Sequence, residues 1–142
     1  MIDVVALGEL LIDFTCQSVD GDGYPTLDSA GIETRSILAD DGVFTTLAFV
    51  TFDESGDRSF SFARKPGADT QLRWEEVDKS LIDEAKVFHF GTLSLTDEPA
   101  RSATYQAVAY AKSKGKLITY DPNLRKPLWR SMEDAKQQLL WG

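Results

Sequence analysis

The spacing of apolar positions changes character along the chain, and each change marks a different element. Asp3 to Leu7 is a short β-branched apolar run of the kind that suits a strand buried on both faces of a parallel sheet. Gly8 and Glu9 interrupt it. Leu10 to Thr15 continues extended, and Asp20, Gly21, Asp22, Gly23 and Pro25 make a turn cluster, so this part is expected to leave the sheet as a hairpin. Thr45 to Phe52 and Arg58 to Arg64 are two β-prone runs joined by the polar, glycine-bearing loop from Asp53 to Asp57. The second run alternates: Phe60 and Phe62 share a face with Arg58 and Arg64, and Ser59, Ser61 and Ala63 take the other. That pattern predicts a one-sided sheet covering something, not a core parallel strand.

From residue 72 the period shifts from two toward 3.6. Trp74 to Ala85 predicts a polar, carboxylate-rich helix, and Val87 to Phe90 a compact apolar strand ended by Gly91. Thr96 or Asp97 is placed to cap the next helix, with Pro99 in its first turn. Ala100, Ala103, Ala107, Val108 and Ala111 recur at helical spacing, Lys112 and Lys114 favour the C-terminal end, and Gly115 stops it. Lys116 to Tyr120 returns as a strand, so residues 87–120 are expected to form a βαβ unit with a right-handed crossover. Ser131 with Asp134 marks the start of one more helix.

Ligands of such units bind outside the C-terminal ends of the strands, which makes Asp121-Pro122-Asn123-Leu124-Arg125 the most informative polar cluster. The residues alone also allow a plain turn whose Asp and Asn satisfy local backbone donors. His89, inside an apolar strand and without a visible partner to activate it, reads as a hydrogen-bonded structural residue.

Composition narrows the classes. With 42% hydrophobic and 11% aromatic residues, the 142-residue chain is expected to fold as one domain rather than remain disordered. Fifteen Lys and Arg against 23 Asp and Glu give a net charge of -8, and no basic stripe runs along the chain, so nucleic acid is not an expected partner. A phosphorylated ligand stays possible, because a few donors at a helix N-terminus bind one against the global field. The first 14 residues carry Asp3, Glu9 and Asp13 and no apolar run near the ~20 residues that span a bilayer, so no membrane association and a cytoplasmic location are expected. Cys16 is the only cysteine and His89 the only histidine, which fits a reducing compartment and leaves no zinc site. The generic signatures GxxxxGK[ST], GxGxxG, GxSxG and HExxH are absent.

Three segments, in order, carry a family resemblance: VVALGELLIDF at the start, TTLAFVTFDESGDRSFSFARKPGAD in the middle, and KLITYDPNLRKPLW near the end. Together they resemble the ribokinase/fructokinase (PfkB-type) carbohydrate kinases, and fructokinase-like members among them. The resemblance implies an α/β fold, here an incomplete ribokinase-like three-layer sandwich with a small β-lid. Residues 1–142 would be one partial domain, with lid segments at about 14–27 and 43–66 and the βαβ unit at about 87–120. It also implies a substrate-binding set. Asp13 would take sugar hydroxyls, Arg64 would sit at the lid base, and Asp69 would stand where the lid chain returns. Gly91 would end a strand beside the ligand, and Asp121, Asn123 and Arg125 would face the sugar and the transferred phosphate. A carboxylate offers several acceptors to vicinal hydroxyls, and the Arg fork spans two phosphoryl oxygens while staying charged. Without the resemblance, Asp13 reads as a solvated strand-end Asp, Arg64 as an edge-strand Arg and Asp69 as a turn residue.

ATP and Mg²⁺ are implied as cofactors of a full-length parent, a small-molecule sugar as its partner, and a homodimer formed through the β-lid as its assembly. The family's glycine-rich GG…N signature is not found: Thr26 and Leu27 pass through Asp28 and Ser29 directly into AGIETR. Deletion and omission both explain that junction. The acidic magnesium-associated motif and the GAGD turn, whose Asp acts as general base in the family, are not found either. The expectation is therefore a portion of a sugar kinase that is inactive as an isolated chain, with a non-catalytic binding or dimerisation module as the alternative.

Overall fold

The computed structural model describes residues 2–8, 12–14 and 33–142. The expected lid segment beyond Phe14, Cys16 and the Asp28–Ser29 junction lie outside the described residues. Within them run nine regular elements: β1 (Val4–Leu7), β2 (Ile12–Phe14), β3 (Leu47–Phe52), β4 (Arg58–Ala63), α1 (Lys79–Glu84), β5 (Val87–Gly91), α2 (Ala100–Ser113), β6 (Leu117–Asp121) and α3 (Met132–Trp141). Short 3-10 turns separate several of them.

The strands divide into two sheets. One is parallel with order β1-β5-β6, and the other has order β2-β3-β4. In the parallel sheet Leu7, Phe90 and Tyr120 stand in one row and Val5, Phe88 and Ile118 in the next, all on a single face. That face packs with α2, whose Ala100, Ala103, Ala107, Val108 and Ala111 are all buried as their spacing predicts. Small side chains let the helix approach the sheet closely, and Phe88, Phe90, Leu95 and Trp129 fill the space between layers. The helix ends in a Schellman motif: the Lys116 N–H donates to Ala111 O and the Gly115 N–H to Lys112 O, with Gly115 at φ +69°.

Three expectations change. β1 is not covered on both faces by described elements: Val4 and Ala6 are exposed, Val4 at 56%, and only Leu7 is buried. The stretch from Trp74 is not one helix. Trp74–Glu76 is a 3-10 turn, Val77 is extended, and α1 starts afresh because the Asp78 carboxylate accepts from the Ser80 N–H at 2.9 Å. Neither Thr96 nor Asp97 caps α2 with its side chain. Pro99 precedes the helix, and the Glu98 carboxylate receives the Ser102 N–H at 3.1 Å. Ser131 does cap α3, accepting from the Asp134 N–H.

The second sheet is the hairpin the alternation predicts, β3 against β4, with β2 added in parallel. Asp53 organises its loop by accepting from the Ser55 and Asp57 N–H groups, while Gly56 supplies φ +84°. Phe60 and Phe62 stack at 6.3 Å on one face, and Ser59 and Ser61 are exposed on the other. His89 is structural in its contacts, paired through Nδ1 with Thr119 Oγ1 at 2.9 Å.

Candidate functional site

All three strands of the parallel sheet run the same way, so β1, β5 and β6 end on one edge. Each strand end leads into glycine or polar residues: Gly8, Gly91-Thr92 and Asp121-Pro122-Asn123. Those ends open into a cavity of about 170 Å³ lined by Leu7, Gly8, Asp69, the Gly91–Ser94 stretch, Asp121 and Asn123. Four residues expected from the sequence, Asp69, Gly91, Asp121 and Asn123, thus meet at one place although more than 50 positions separate the first from the last.

Each wall has its own support. The 3-10 turn Thr92–Leu95 begins where β5 stops, and Thr92 Oγ1 bridges back to Asp121 O at 3.1 Å and Asn123 O at 2.8 Å. This hydroxyl ties the end of β5 to the turn after β6. Ser94 Oγ donates to Gly91 O at 2.9 Å and closes the same turn on itself. At Gly91 an added Cβ would meet nothing nearer than Asp121 O at 3.8 Å, so the neighbouring backbone does not require glycine here; a side chain would only narrow the cavity.

Behind these walls the Tyr120 ring stacks on Phe90 at 4.8 Å. Its hydroxyl is buried, and that burial pushes its pKa above the ordinary value.

Asp69 enters from the opposite side, in the 3-10 turn Ala68–Thr70 that comes after the lid hairpin. Its carboxylate is enclosed: Oδ1 accepts from Thr46 Oγ1 at 2.7 Å and Oδ2 from Arg64 Nε at 2.5 Å, with Arg64 Nη2 alongside. Gly67 makes this packing possible. A Cβ there would collide with Thr46 Oγ1 and lie 2.7 Å from Asp69 Oδ1, so no other residue fits without moving both.

The remaining expected residues fall elsewhere. Arg64 does not line the cavity; it lies buried behind Asp69, with Nη1 on Thr96 Oγ1 at 2.8 Å and Nη2 on Leu93 O at 3.0 Å. Arg125 stands beside the cavity, donating to Asn123 Oδ1 at 2.5 Å, with its guanidinium carbon 4.8 Å from the centre of the Phe60 ring. That contact joins the β6 turn to the hairpin, so the aromatic face of β4 does cover something: the turn at the strand ends. Asp13 holds the central position of β2, in register beside Ala48.

Sequence reasoning did not single out Thr92, Leu93, Ser94, Thr46 or Gly67. The signal was there in part: a hydroxyl-rich TLSLT stretch directly after a strand-ending glycine places side-chain donors at a ligand edge.

Residues 24–141 match the pfkB family carbohydrate kinase pattern. Probable fructokinase-3 of Arabidopsis thaliana is 49% identical over 110 residues, covering 78% of this chain and 32% of that protein. Fructokinase-2 of Solanum lycopersicum is 48% identical over 113 residues, 80% of this chain and 34% of the relative. The crystal structure of fructokinase from Xylella fastidiosa superposes with a TM-score of 0.72 at 34% identity, over 80% of this chain and 36% of that one. The fructokinase of Vibrio cholerae O395 in fructose, ADP and calcium ion bound form gives 0.71 at 29% identity, over 81% of this chain and 37% of that one. The chain spans about a third of the length of the curated relatives it matches. With that match running over most of its length and an α/β fold in common with solved fructokinases, the chain belongs to the pfkB family of carbohydrate kinases.

Proposed function

We propose that this chain forms the sugar-facing part of an ATP-dependent kinase that phosphorylates a primary hydroxyl of a hexose-like sugar, with fructose the first candidate. The observation that carries the reading is the convergence of Asp69, Gly91, Asp121 and Asn123 on one cavity at the C-terminal ends of β1, β5 and β6. Two carboxylates and an amide present acceptors and donors at close range, which suits a ligand bearing adjacent hydroxyls. Arg125 supplies a permanent positive charge at the rim, where a planar fork steadies phosphoryl oxygens. Asp13 is assigned to the sugar hydroxyls on the family resemblance and on the place of its strand in the lid sheet. One structural relative is described with fructose and ADP bound and another with ATP bound.

Mg²⁺ is assigned to the whole enzyme only. Among the described residues no group of three or more His, Cys, Asp or Glu side chains is placed to hold a metal ion. The general base is likewise assigned to the family's GAGD turn. Phosphoryl transfer depends on positioning and charge stabilisation, and this chain alone is expected to bind sugar without turning it over.

Calorimetric titration with fructose, ribose, 2-keto-3-deoxygluconate and nucleosides, beside a coupled kinase assay on a polypeptide of full family length, tests both halves. Saturable fructose binding by the chain and turnover by the longer polypeptide are the expected results. No binding and no turnover with any of the compounds sinks the assignment.

A second reading, a non-catalytic pairing module, is favoured by Phe52, 56% exposed on the β3 face that Phe60 and Phe62 share across the hairpin. Sedimentation separates the two: a concentration-independent monomer removes the pairing module.

A further inference from the structure

The most heavily bonded group beside the cavity is not one that lines it. Arg64 extends from the end of the lid hairpin into the interior, and its side chain keeps 5% of its surface accessible. Its guanidinium reaches two separate pieces of structure. On one side Nε and Nη2 hold Asp69; on the other Nη1 donates to Thr96 Oγ1 and Nη2 to Leu93 O. Both accepting groups belong to the turn that forms the β5 wall of the cavity. A second arginine holds that turn from behind: Arg101 Nε donates to Leu95 O at 2.6 Å, and Nη2 to Thr96 O at 3.0 Å and to Asp134 of α3 at 2.7 Å. The turn is therefore gripped by one guanidinium from the lid and one from the helical layer.

We infer that Arg64 is a positioning residue for the sugar site: it sets the Asp69 carboxylate at the cavity wall and fixes the root of the lid to the turn after β5. The inference rests on the reading of this cavity as a sugar site. Asp69 receives three donors, from Thr46 and twice from Arg64, which leaves one of a carboxylate's roughly four acceptor positions for a ligand hydroxyl. The planar fork is what allows two directions to be held at once. A lysine supplies charge to Asp69 but a single ammonium, which does not span Asp69, Thr96 and Leu93 together. Thr96 completes the device, because its hydroxyl donates to Leu93 O at 2.8 Å and so presents its lone pair to Arg64.

The test compares the wild-type chain with Arg64→Lys and Thr96→Val, using fructose titration by calorimetry and hydrogen exchange at the amides of residues 67–71 and 93–97. In Arg64→Lys the dissociation constant for fructose is expected to rise about tenfold with binding stoichiometry unchanged, the size expected for one lost positioned hydrogen bond. Exchange in both segments is expected to quicken. Thr96→Val, which keeps every charge, is expected to shift both readouts in the same direction by less. A merely structural role lowers stoichiometry through unfolded protein and leaves the dissociation constant alone; that result overturns the inference. So does unchanged exchange at residues 93–97. A wild-type chain that binds no fructose removes the sugar reading itself, an outcome distinct from a wild type that binds and variants that bind equally well.

Discussion

The two sides of the cavity contain the same chemistry under opposite conditions. On the lid side Asp69 and Arg64 are side chains 8% and 5% exposed, bonded to each other and to Thr46, Thr96 and Leu93 O. On the β6 side Asp121 is exposed, and Asn123 and Arg125 are half-buried in a turn that Thr92 anchors by its backbone carbonyls. A charge taken from water depends on every partner it has, whereas one at the rim keeps solvent as a substitute. The lid side should therefore carry stability as well as affinity, and the β6 side affinity with little stability.

The largest effect expected from that contrast is in Arg64→Met. Leaving the buried Asp69 carboxylate without its partner is expected to cost about 3–5 kcal/mol in urea denaturation. Changing both residues, Arg64→Met with Asp69→Leu, should recover much of the loss, because an apolar pair leaves no orphan charge. A single-variant loss below about 1 kcal/mol, the range of a solvated pair, would erase the distinction between the two sides. Gly67→Ala comes next. Its methyl would collide with Thr46 Oγ1 and meet Asp69 Oδ1 at 2.7 Å, and overpacking of this kind costs about 1–3 kcal/mol, read from the same transition.

Arg125→Ala probes the other wall. It removes the stacking on Phe60, worth about 0.5–1 kcal/mol at an exposed site, so the melting midpoint should move little while fructose binding weakens about tenfold. A large drop in stability with unchanged affinity would reverse the assignment of the two sides. The smallest effect is one of pH, away from the cavity. Hydrogen bonds from Ser80 first, and also from Ser36, hold the Asp78 carboxyl below its ordinary value of 3.8. A depressed carboxylate contributes stability above the unfolded value, and that stability is lost as pH falls through the folded one. Asp78→Asn keeps an acceptor for the start of α1 but does not titrate. Its melting midpoint should match the wild type near neutrality and fall less steeply below pH 3.8.

Much of the architecture was legible because local signals agreed with one another. The alanines of α2 fall on one face by spacing alone, Gly115 supplies the left-handed residue that ends the helix, and Phe60 and Phe62 share a side of β4 by the period of a strand. The break at Asp78 was harder to see, since a polar run from Trp74 to Ala85 satisfies helical propensity throughout and only the carboxylate's bond to the Ser80 N–H restarts the helix there. The site residues were legible as types in a suggestive order, Asp and Asn after a strand or Arg before a turn, together with their resemblance to a family.

What the sequence determined by itself is whatever depends on neighbours within a few positions: the period of each element, the cap at Ser131, the turn after β6 and the family pattern. Tertiary structure alone decided which of two similar charged residues stands half-exposed beside the cavity and which lies buried behind it. Arg64 and Arg125 look alike in the chain, each beside a turn that carries an Asp. Only the docking of the lid hairpin on the turn after β5 buries Arg64 against Leu93 and Thr96, about 30 positions away, and leaves Arg125 at the rim beneath Phe60. Contacts over such separations form only once the chain has folded, and burial, which no window of sequence contains, sets what each charge does.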